Sequence, residues 1–130
     1  MAVYRTPLGR ARGLGSAKHG VGHFIAQRVS AVALVPLVLW AVYSAVHLSH
    51  VGYSGARDWL SSPLNAGLMV LLVVAGFWHM QLGMRTVIED YIHKNTSKAA
   101  LLMLNVFAAW AGGALAVVCL LKVAFGGGAI

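Results

Sequence analysis

The sequence predicts an all-α membrane protein with three transmembrane helices. Of its 130 residues, 59% are hydrophobic and only 10% are charged, which is too little charge to cover the surface of a soluble domain. Three windows contain no acidic residue, lysine or arginine: Val29 to Ala56, Trp59 to Met84 and Ala99 to Leu121. Each is longer than the roughly 20 apolar residues that a helix needs to cross a bilayer. The windows are continuously apolar rather than alternating, so membrane strands are not expected.

Polar and turn-forming residues divide the chain into three spans. Asp58 and the triplet Ser61-Ser62-Pro63 follow the first apolar window, and a polar run at 93–98 follows the second. The expected organisation is a basic N-terminal segment at 1–28, a membrane anchor at 29–125 with spans near 29–49, 64–88 and 99–124, and a short tail at 126–130. Gly112-Gly113 in the third span predicts a close contact between helices.

Basic residues flank the spans unevenly. Five precede the first span, at positions 5, 10, 12, 18 and 28, and three lie at the connection between the second and third spans, at positions 85, 94 and 98. The other loop carries Arg57 beside Asp58. By the positive-inside rule, the N-terminus is expected inside and the C-terminus outside. The net charge of +7 follows from these membrane-flanking groups, so nucleic-acid binding is not expected.

His79 lies deep within the second predicted span, which makes it a candidate functional residue, because an imidazole is costly in a bilayer. One interpretation is a hydrogen bond between helices, and the other is an axial ligand to haem iron. Gly76 and Gly83, at i−3 and i+4, share its helical face and leave room for a flat macrocycle. Close helix packing through the same glycines is the competing explanation.

Other histidines lie at different levels of the predicted membrane. His47 and His50 lie about 27–30 Å from the cytoplasmic start of the first span, whereas His79 lies about 14 Å from the cytoplasmic end of the second. If His79 binds haem, the second axial ligand is therefore expected from another polypeptide. His19 and His23 are assigned to the cytoplasmic surface layer, where they either assist with haem propionates or have no specific role.

Several polar residues lie at the predicted cytoplasmic ends of the spans. Arg28 and Arg85 either extend toward lipid head groups or pair with haem propionates. Glu89, Asp90 and Tyr91 follow in sequence. They form either a solvated helix end with Tyr91 in the aromatic belt, or a hydrogen-bonding site for a polar, membrane-soluble ligand.

Two segments resemble a known family. The motif His79-x-x-x-Gly83-Met84-x-x-Val87-x-x-Asp90-Tyr91 is similar to the core of the smaller hydrophobic membrane anchor of succinate dehydrogenase, respiratory complex II. The segment from His23 to Ala31 resembles the start of that family's first helix, and the length and three spans also fit. The larger anchor subunit of the same complex is a poorer match, because Thr86 follows Arg85 where that subunit's motif has a histidine.

The resemblance implies roles for individual residues. His79 corresponds to one axial ligand of haem b, with the other supplied by the larger cytochrome b anchor subunit. Tyr91 corresponds to the tyrosine that hydrogen-bonds ubiquinone, and Asp90 to the acid beside it. Arg28 corresponds to an arginine near the haem and quinone.

The resulting hypothesis is a membrane-anchor subunit of succinate:quinone oxidoreductase in the bacterial inner membrane, with no catalytic activity on its own. The sequence contains no flavin fingerprint and no set of iron–sulfur cysteines, so succinate oxidation and electron entry are assigned to a flavoprotein subunit and an iron–sulfur subunit. The alternatives are a fumarate reductase anchor, a small transporter or channel component, and a haem-free structural scaffold.

Reporter fusions test the predicted topology. A reporter joined after Ile130 should lie on the outer side of the membrane, because three spans separate it from the basic N-terminal segment. A periplasm-dependent reporter should therefore be active at that position, and a cytoplasm-dependent one inactive. A cytoplasmic signal there contradicts the three-span topology.

Overall fold

The computed structural model of the protein describes residues 6–13 and 20–126. These residues form five α-helices, α1 Pro7–Arg12, α2 Gly20–Leu48, α3 Gly52–Ser61, α4 Pro63–Tyr91 and α5 Asn95–Ala124. No strand occurs in either described range. Arg5, Lys18 and His19, named above for orientation and haem contacts, lie outside the described residues, as do residues 127–130 of the expected tail.

The expected all-α fold with three membrane-spanning helices is confirmed. Helices α2, α4 and α5 have 29, 29 and 30 residues, and each is long and apolar enough to cross a membrane. At about 1.5 Å per residue, each is longer than the roughly 30 Å of hydrocarbon that it needs to span. The helices therefore continue beyond the apolar windows at one or both ends.

The first long helix begins well before the predicted span. Helix α2 starts at Gly20, whereas the sequence placed the start of the span near residue 29 and assigned residues 1–28 to a basic segment. The apolar window marks only the most hydrophobic part of a helix. The residues between Gly20 and Arg28 include no proline, so nothing stops the backbone hydrogen-bonding pattern from continuing.

The three long helices form a single layer with α4 in the middle. Helix α4 runs antiparallel to both neighbours and packs against α2 on one side and α5 on the other. Within the described ranges, the backbones of α2 and α5 do not approach each other. The arrangement is therefore a row of helices rather than a closed bundle.

Helix α3 joins the long helices at one end of the layer and was missed by the sequence analysis, which expected only a break there. It contacts α2, α4 and α5. The indole of Trp59 stacks on Trp40 of α2, with ring centroids 5.6 Å apart. The Asn65 side chain of α4 donates a 2.9 Å hydrogen bond to the Trp59 carbonyl. Gly52 has a positive φ of 67°, which allows the sharp change of direction after α2.

Helices α4 and α5 make a close contact at Gly112-Gly113, as predicted. A β-carbon at Gly112 would lie 2.8 Å from Cε1 of Phe77, and one at Gly113 would lie 3.4 Å from the same side chain. Gln81 lies one turn beyond Phe77 on α4, and its carbonyl accepts a 2.9 Å hydrogen bond from the Asn105 side chain of α5. Small residues and a polar bond between helices are the usual means of helix association in lipid.

Very few side chains are buried within this layer. Among the described residues, the buried ones are Leu82, Ile88, Ala109, Ser30 and Ser44. Large apolar side chains on all three long helices remain exposed, including Phe107 and Trp110 of α5. A layer with two open apolar faces needs lipid or other polypeptides to cover them.

The glycine pair gives a matched test of this packing. Gly112→Ala should destabilise the protein by about 1–3 kcal/mol, because the new methyl group overlaps the Phe77 ring. Gly113→Ala serves as the control, because its methyl group would make only an ordinary van der Waals contact. Thermal unfolding of the purified membrane protein in detergent measures both. Equal melting temperatures for the two variants would contradict the close α4–α5 contact at Gly112.

Candidate functional site

His79 lies at the contact between α4 and α2, where both ring nitrogens face polar groups of α2. Its Nδ1 is 3.0 Å from the hydroxyl oxygen of Ser30, and its Nε2 is 3.4 Å from the amide nitrogen of Gln27. The Ser30 hydroxyl also donates a 3.1 Å bond to the Gln27 carbonyl of its own helix. Ser30 is 3% exposed, whereas His79 is half-buried.

Helix α2 carries a row of polar side chains, which we call the α2 polar stripe: His23, Gln27 and Ser30. Their spacing of i, i+4 and i+7 places them on one helical face. His23 Nε2 and Gln27 Oε1 are buried yet have no hydrogen-bond partner. His23, which the sequence predicts to lie in a surface layer, has a half-buried position in the first turn of α2.

The sequence analysis assigned no role to Gln27 or Ser30, although a signal for them was present. The i, i+4, i+7 spacing of His23, Gln27 and Ser30 predicts a polar face if the helix already includes residue 23. With the span starting near residue 29, the first two residues lay outside the expected helix. The error in the helix boundary therefore hid the partners of His79.

His47 and His50 are confirmed to lie at a different level from His79. His79 is level with Ser30, and His47 lies 17 residues further along α2, which corresponds to about 26 Å. His47 is exposed in the last turn of α2, and His50 is exposed in the turn that follows. Among the described residues, no group of three histidine, cysteine or acidic side chains could hold a metal ion.

A haem held by His79 would need space on the same face of α4 and would have to displace Gln27 from Nε2. A β-carbon added at Gly76 would have no other atom within 4 Å, and one at Gly83 would meet only the Gln27 amide nitrogen, at 3.5 Å. Neither glycine is needed for helix packing within this chain, in contrast to Gly112. The unpartnered Oε1 of Gln27, whose amide nitrogen contacts His79, also indicates that another polar group belongs near the ring.

Arg28 and Arg85 are not directed to His79 by contacts within this chain. The Arg28 guanidinium lies 5.1 Å from the ring centroid of Phe24, one turn earlier on α2. Arg85 donates from Nε to Glu89 in an exposed ion pair of 2.7 Å. Glu89 therefore has a local partner, although exposed pairs at this spacing contribute only about 0.3–0.5 kcal/mol.

Asp90 and Tyr91 form the last two positions of α4. Tyr91 is 76% exposed and Asp90 is also exposed. Adjacent residues point about 100° apart around a helix, and no hydrogen bond between the two side chains occurs in the described part of the chain. At about 1.5 Å per residue, Tyr91 lies about 18 Å along the helix from His79, so the two candidate sites are separate.

Lys98 fixes the end of α4 against the start of α5. Its ammonium group donates a 2.8 Å hydrogen bond to the Glu89 carbonyl. That carbonyl is among the last four of α4, which lack partners within the helix. The turn that carries Asp90 and Tyr91 is therefore held to the neighbouring helix by a charged bond.

Comparison with known proteins finds one family whose model matches residues 2–121, described as the succinate dehydrogenase/fumarate reductase transmembrane subunit. A succinate dehydrogenase hydrophobic membrane anchor subunit from Paracoccus denitrificans is 38% identical over 126 residues, covering 95% of both chains. A protein of the same description from Rickettsia bellii is 32% identical over 100 residues, covering 77% of this chain and 80% of its own. The likeness to both relatives therefore extends over most of the chain.

Proposed function

The chain belongs to the succinate dehydrogenase/fumarate reductase transmembrane subunit family, and we propose that it is the hydrophobic membrane-anchor subunit of a succinate:quinone oxidoreductase. It is a multi-pass membrane protein. The relatives from Paracoccus and Rickettsia, both described as succinate dehydrogenase anchors, favour this function over that of a fumarate reductase anchor. The observation that carries the proposal is His79, an imidazole within the second long apolar helix with the Ser30 hydroxyl 3.0 Å from its Nδ1.

In this proposal His79 supplies one axial ligand of a haem b. The haem, when bound, accepts and releases single electrons. The chain's part is to present an imidazole nitrogen at a fixed position inside the membrane, with open space at Gly76 for the macrocycle. The second axial ligand comes from the larger cytochrome b anchor subunit, since His47 lies about 26 Å from the level of His79.

Arg28 and Arg85 are proposed partners of the haem propionates. Both lie nearer than His79 to the end of the layer at which α2 begins and α4 ends. Arg28 has no carboxylate partner among the described side chains, so its charge remains available to an anionic group. Arg85 would have to leave Glu89, which costs little because that ion pair is exposed.

Tyr91 and Asp90 are the proposed contribution to the ubiquinone site. An exposed phenol at the end of a membrane helix can donate a hydrogen bond to a quinone carbonyl without burying a full charge. Asp90 points about 100° away from Tyr91, which suits a role in exchanging protons with water or another subunit. Lys98 stabilises the turn that holds both residues.

The remaining chemistry belongs to partner subunits in this proposal. A flavoprotein subunit oxidises succinate, and an iron–sulfur subunit passes the electrons to the end of the layer that carries Tyr91. The open apolar faces of α2, α4 and α5 are suited to the larger anchor subunit and to lipid. This chain therefore anchors the complex in the inner membrane and is not an enzyme on its own.

The haem proposal is tested by His79→Ala in the assembled complex. The variant should lose or strongly weaken the low-spin haem b spectrum, because one axial imidazole is removed. Assembly of the subunits should persist, since the α4–α5 contact at Gly112 does not involve His79. His47→Ala and His50→Ala are the matched controls and should retain the spectrum. An unchanged low-spin spectrum in His79→Ala would rule out its role as a ligand.

The quinone proposal is tested by Tyr91→Phe. Loss of one neutral hydrogen bond should cost about 0.5–1.5 kcal/mol, a factor of about 2–13 in quinone affinity. Quinone reduction should therefore be impaired, while succinate oxidation by an artificial dye stays near the wild-type rate. Asp90→Asn should give the same pattern if the acid supports proton transfer. If Tyr91→Phe reduces quinone with wild-type rate and affinity, Tyr91 is not part of the quinone site and is only a residue of the aromatic belt at the membrane surface.

A further inference from the structure

We propose that Ser30 is a positioning residue that commits the Nε2 atom of His79 to the haem iron. Its hydroxyl oxygen does so by accepting a hydrogen bond from Nδ1–H of His79. This inference rests on the proposed function of His79 as a haem ligand, and it adds a residue of α2 to that site.

The Ser30 hydroxyl has one hydrogen, and the backbone takes it. The hydroxyl donates to the Gln27 carbonyl at 3.1 Å, as serine often does within its own helix. With its hydrogen on the backbone carbonyl, the Ser30 oxygen offers lone pairs to His79 Nδ1, which lies 3.0 Å away. In this arrangement Nδ1 carries the proton, and Nε2 of the neutral ring carries the lone pair.

The contact on the other side of the ring is compatible with the same tautomer. Gln27 presents its amide nitrogen, a donor, to His79 Nε2, which accepts in this tautomer. The separation of 3.4 Å is longer than the usual range of about 2.7–3.2 Å, which makes this bond weak. Gln27 thus covers the ligand atom loosely and can be displaced by iron.

Ser30 is held more firmly than Gln27. It is 3% exposed, has a short side chain and is tied to its own helix backbone. The Gln27 side chain is longer, and its Oε1 has no partner. The firmer bond at Nδ1 and the weaker contact at Nε2 therefore orient the ring from α2, and Gln27 is the group that iron would displace from Nε2.

A hydrogen bond from the second ring nitrogen also changes the ligand itself. An acceptor at Nδ1–H fixes the ring orientation and makes the imidazole a stronger electron donor to its metal. Ferric iron gains more from such a donor than ferrous iron does. Ser30 should therefore lower the haem reduction potential as well as strengthen haem binding.

Ser30→Ala tests the proposal in the assembled complex. Loss of a group that supports a metal ligand typically lowers metal affinity by about 10-fold to 100-fold. The haem should bind about tenfold more weakly in the variant, and its midpoint potential should rise. A tenfold loss of preference for the ferric state corresponds to about 59 mV for a one-electron couple. Redox titration of the haem band and low-spin electron paramagnetic resonance provide the two measurements.

Ser44→Ala is the matched control, because it makes the same truncation at a buried serine of α2. Ser44 is 6% exposed and lies 14 residues beyond Ser30, about 21 Å along the helix. The haem midpoint potential and the haem content of the Ser44→Ala complex should stay at the wild-type values. A rise in potential specific to Ser30→Ala supports the proposal, and a wild-type potential and haem affinity in Ser30→Ala overturns it.

A second pair of variants covers the case in which Ser30→Ala fails to assemble. Threonine and valine have nearly the same shape, and only threonine carries a hydroxyl. Ser30→Thr should keep a potential closer to wild type than Ser30→Val, and equal potentials in the two overturn the proposal. His79→Ala is measured in parallel. If it keeps the haem, the proposed function fails; if it loses the haem while Ser30→Ala has no effect, only the role of Ser30 fails.

Discussion

The hydrogen-bonded contact between His79 and Ser30 is the interaction on which the candidate site depends. It lies between two helices that share little else that is polar, and it involves the most deeply buried polar residue among those described. An imidazole within a membrane needs partners for both nitrogens, and α2 supplies them from a single face. The same contact sets the level of α2 against α4. The pairing therefore fixes the register of two helices and the orientation of the ring together.

The layered arrangement explains why this site is incomplete by itself. A row of three helices with α4 in the middle buries only a few small or medium side chains, so the chain has almost no core of its own. Its polar groups show the same incompleteness, since His23 and Gln27 of the α2 polar stripe each leave a buried atom without a partner. Buried polar atoms are rarely left unpaired in a finished structure. Apolar faces and unpaired atoms together are what is expected of one subunit of a larger membrane complex.

Features that depend on hydrophobicity could be predicted from the sequence, whereas helix boundaries and side-chain contacts that depend on local geometry could not. The three spans, the separation of His47 from His79 and the close contact at Gly112-Gly113 all follow from apolar length, helical rise or residue size. The start of α2 at Gly20 and the whole of α3 did not, because polar residues can continue a helix once it has formed. The partners of His79 were hidden by the same boundary error. Glycines were also ambiguous in the sequence, and only the structure separates Gly76, in open space, from Gly112, against Phe77.

Helix α4 connects the two proposed sites, and its ends are restrained differently. Near its middle, His79 is held by the α2 polar stripe, and at its last turn Lys98 of α5 holds the Glu89 carbonyl. A helix fixed at two points about 15 Å apart cannot rotate at one without straining the other. On an ideal helix Asp90 lies within about 20° of the His79 direction, whereas Tyr91 lies about 120° away. Asp90 therefore lies on the face that meets the α2 polar stripe and His79, and Tyr91 lies on a different one. One rigid helix can thus present a haem ligand and a quinone donor in different directions, toward different neighbours.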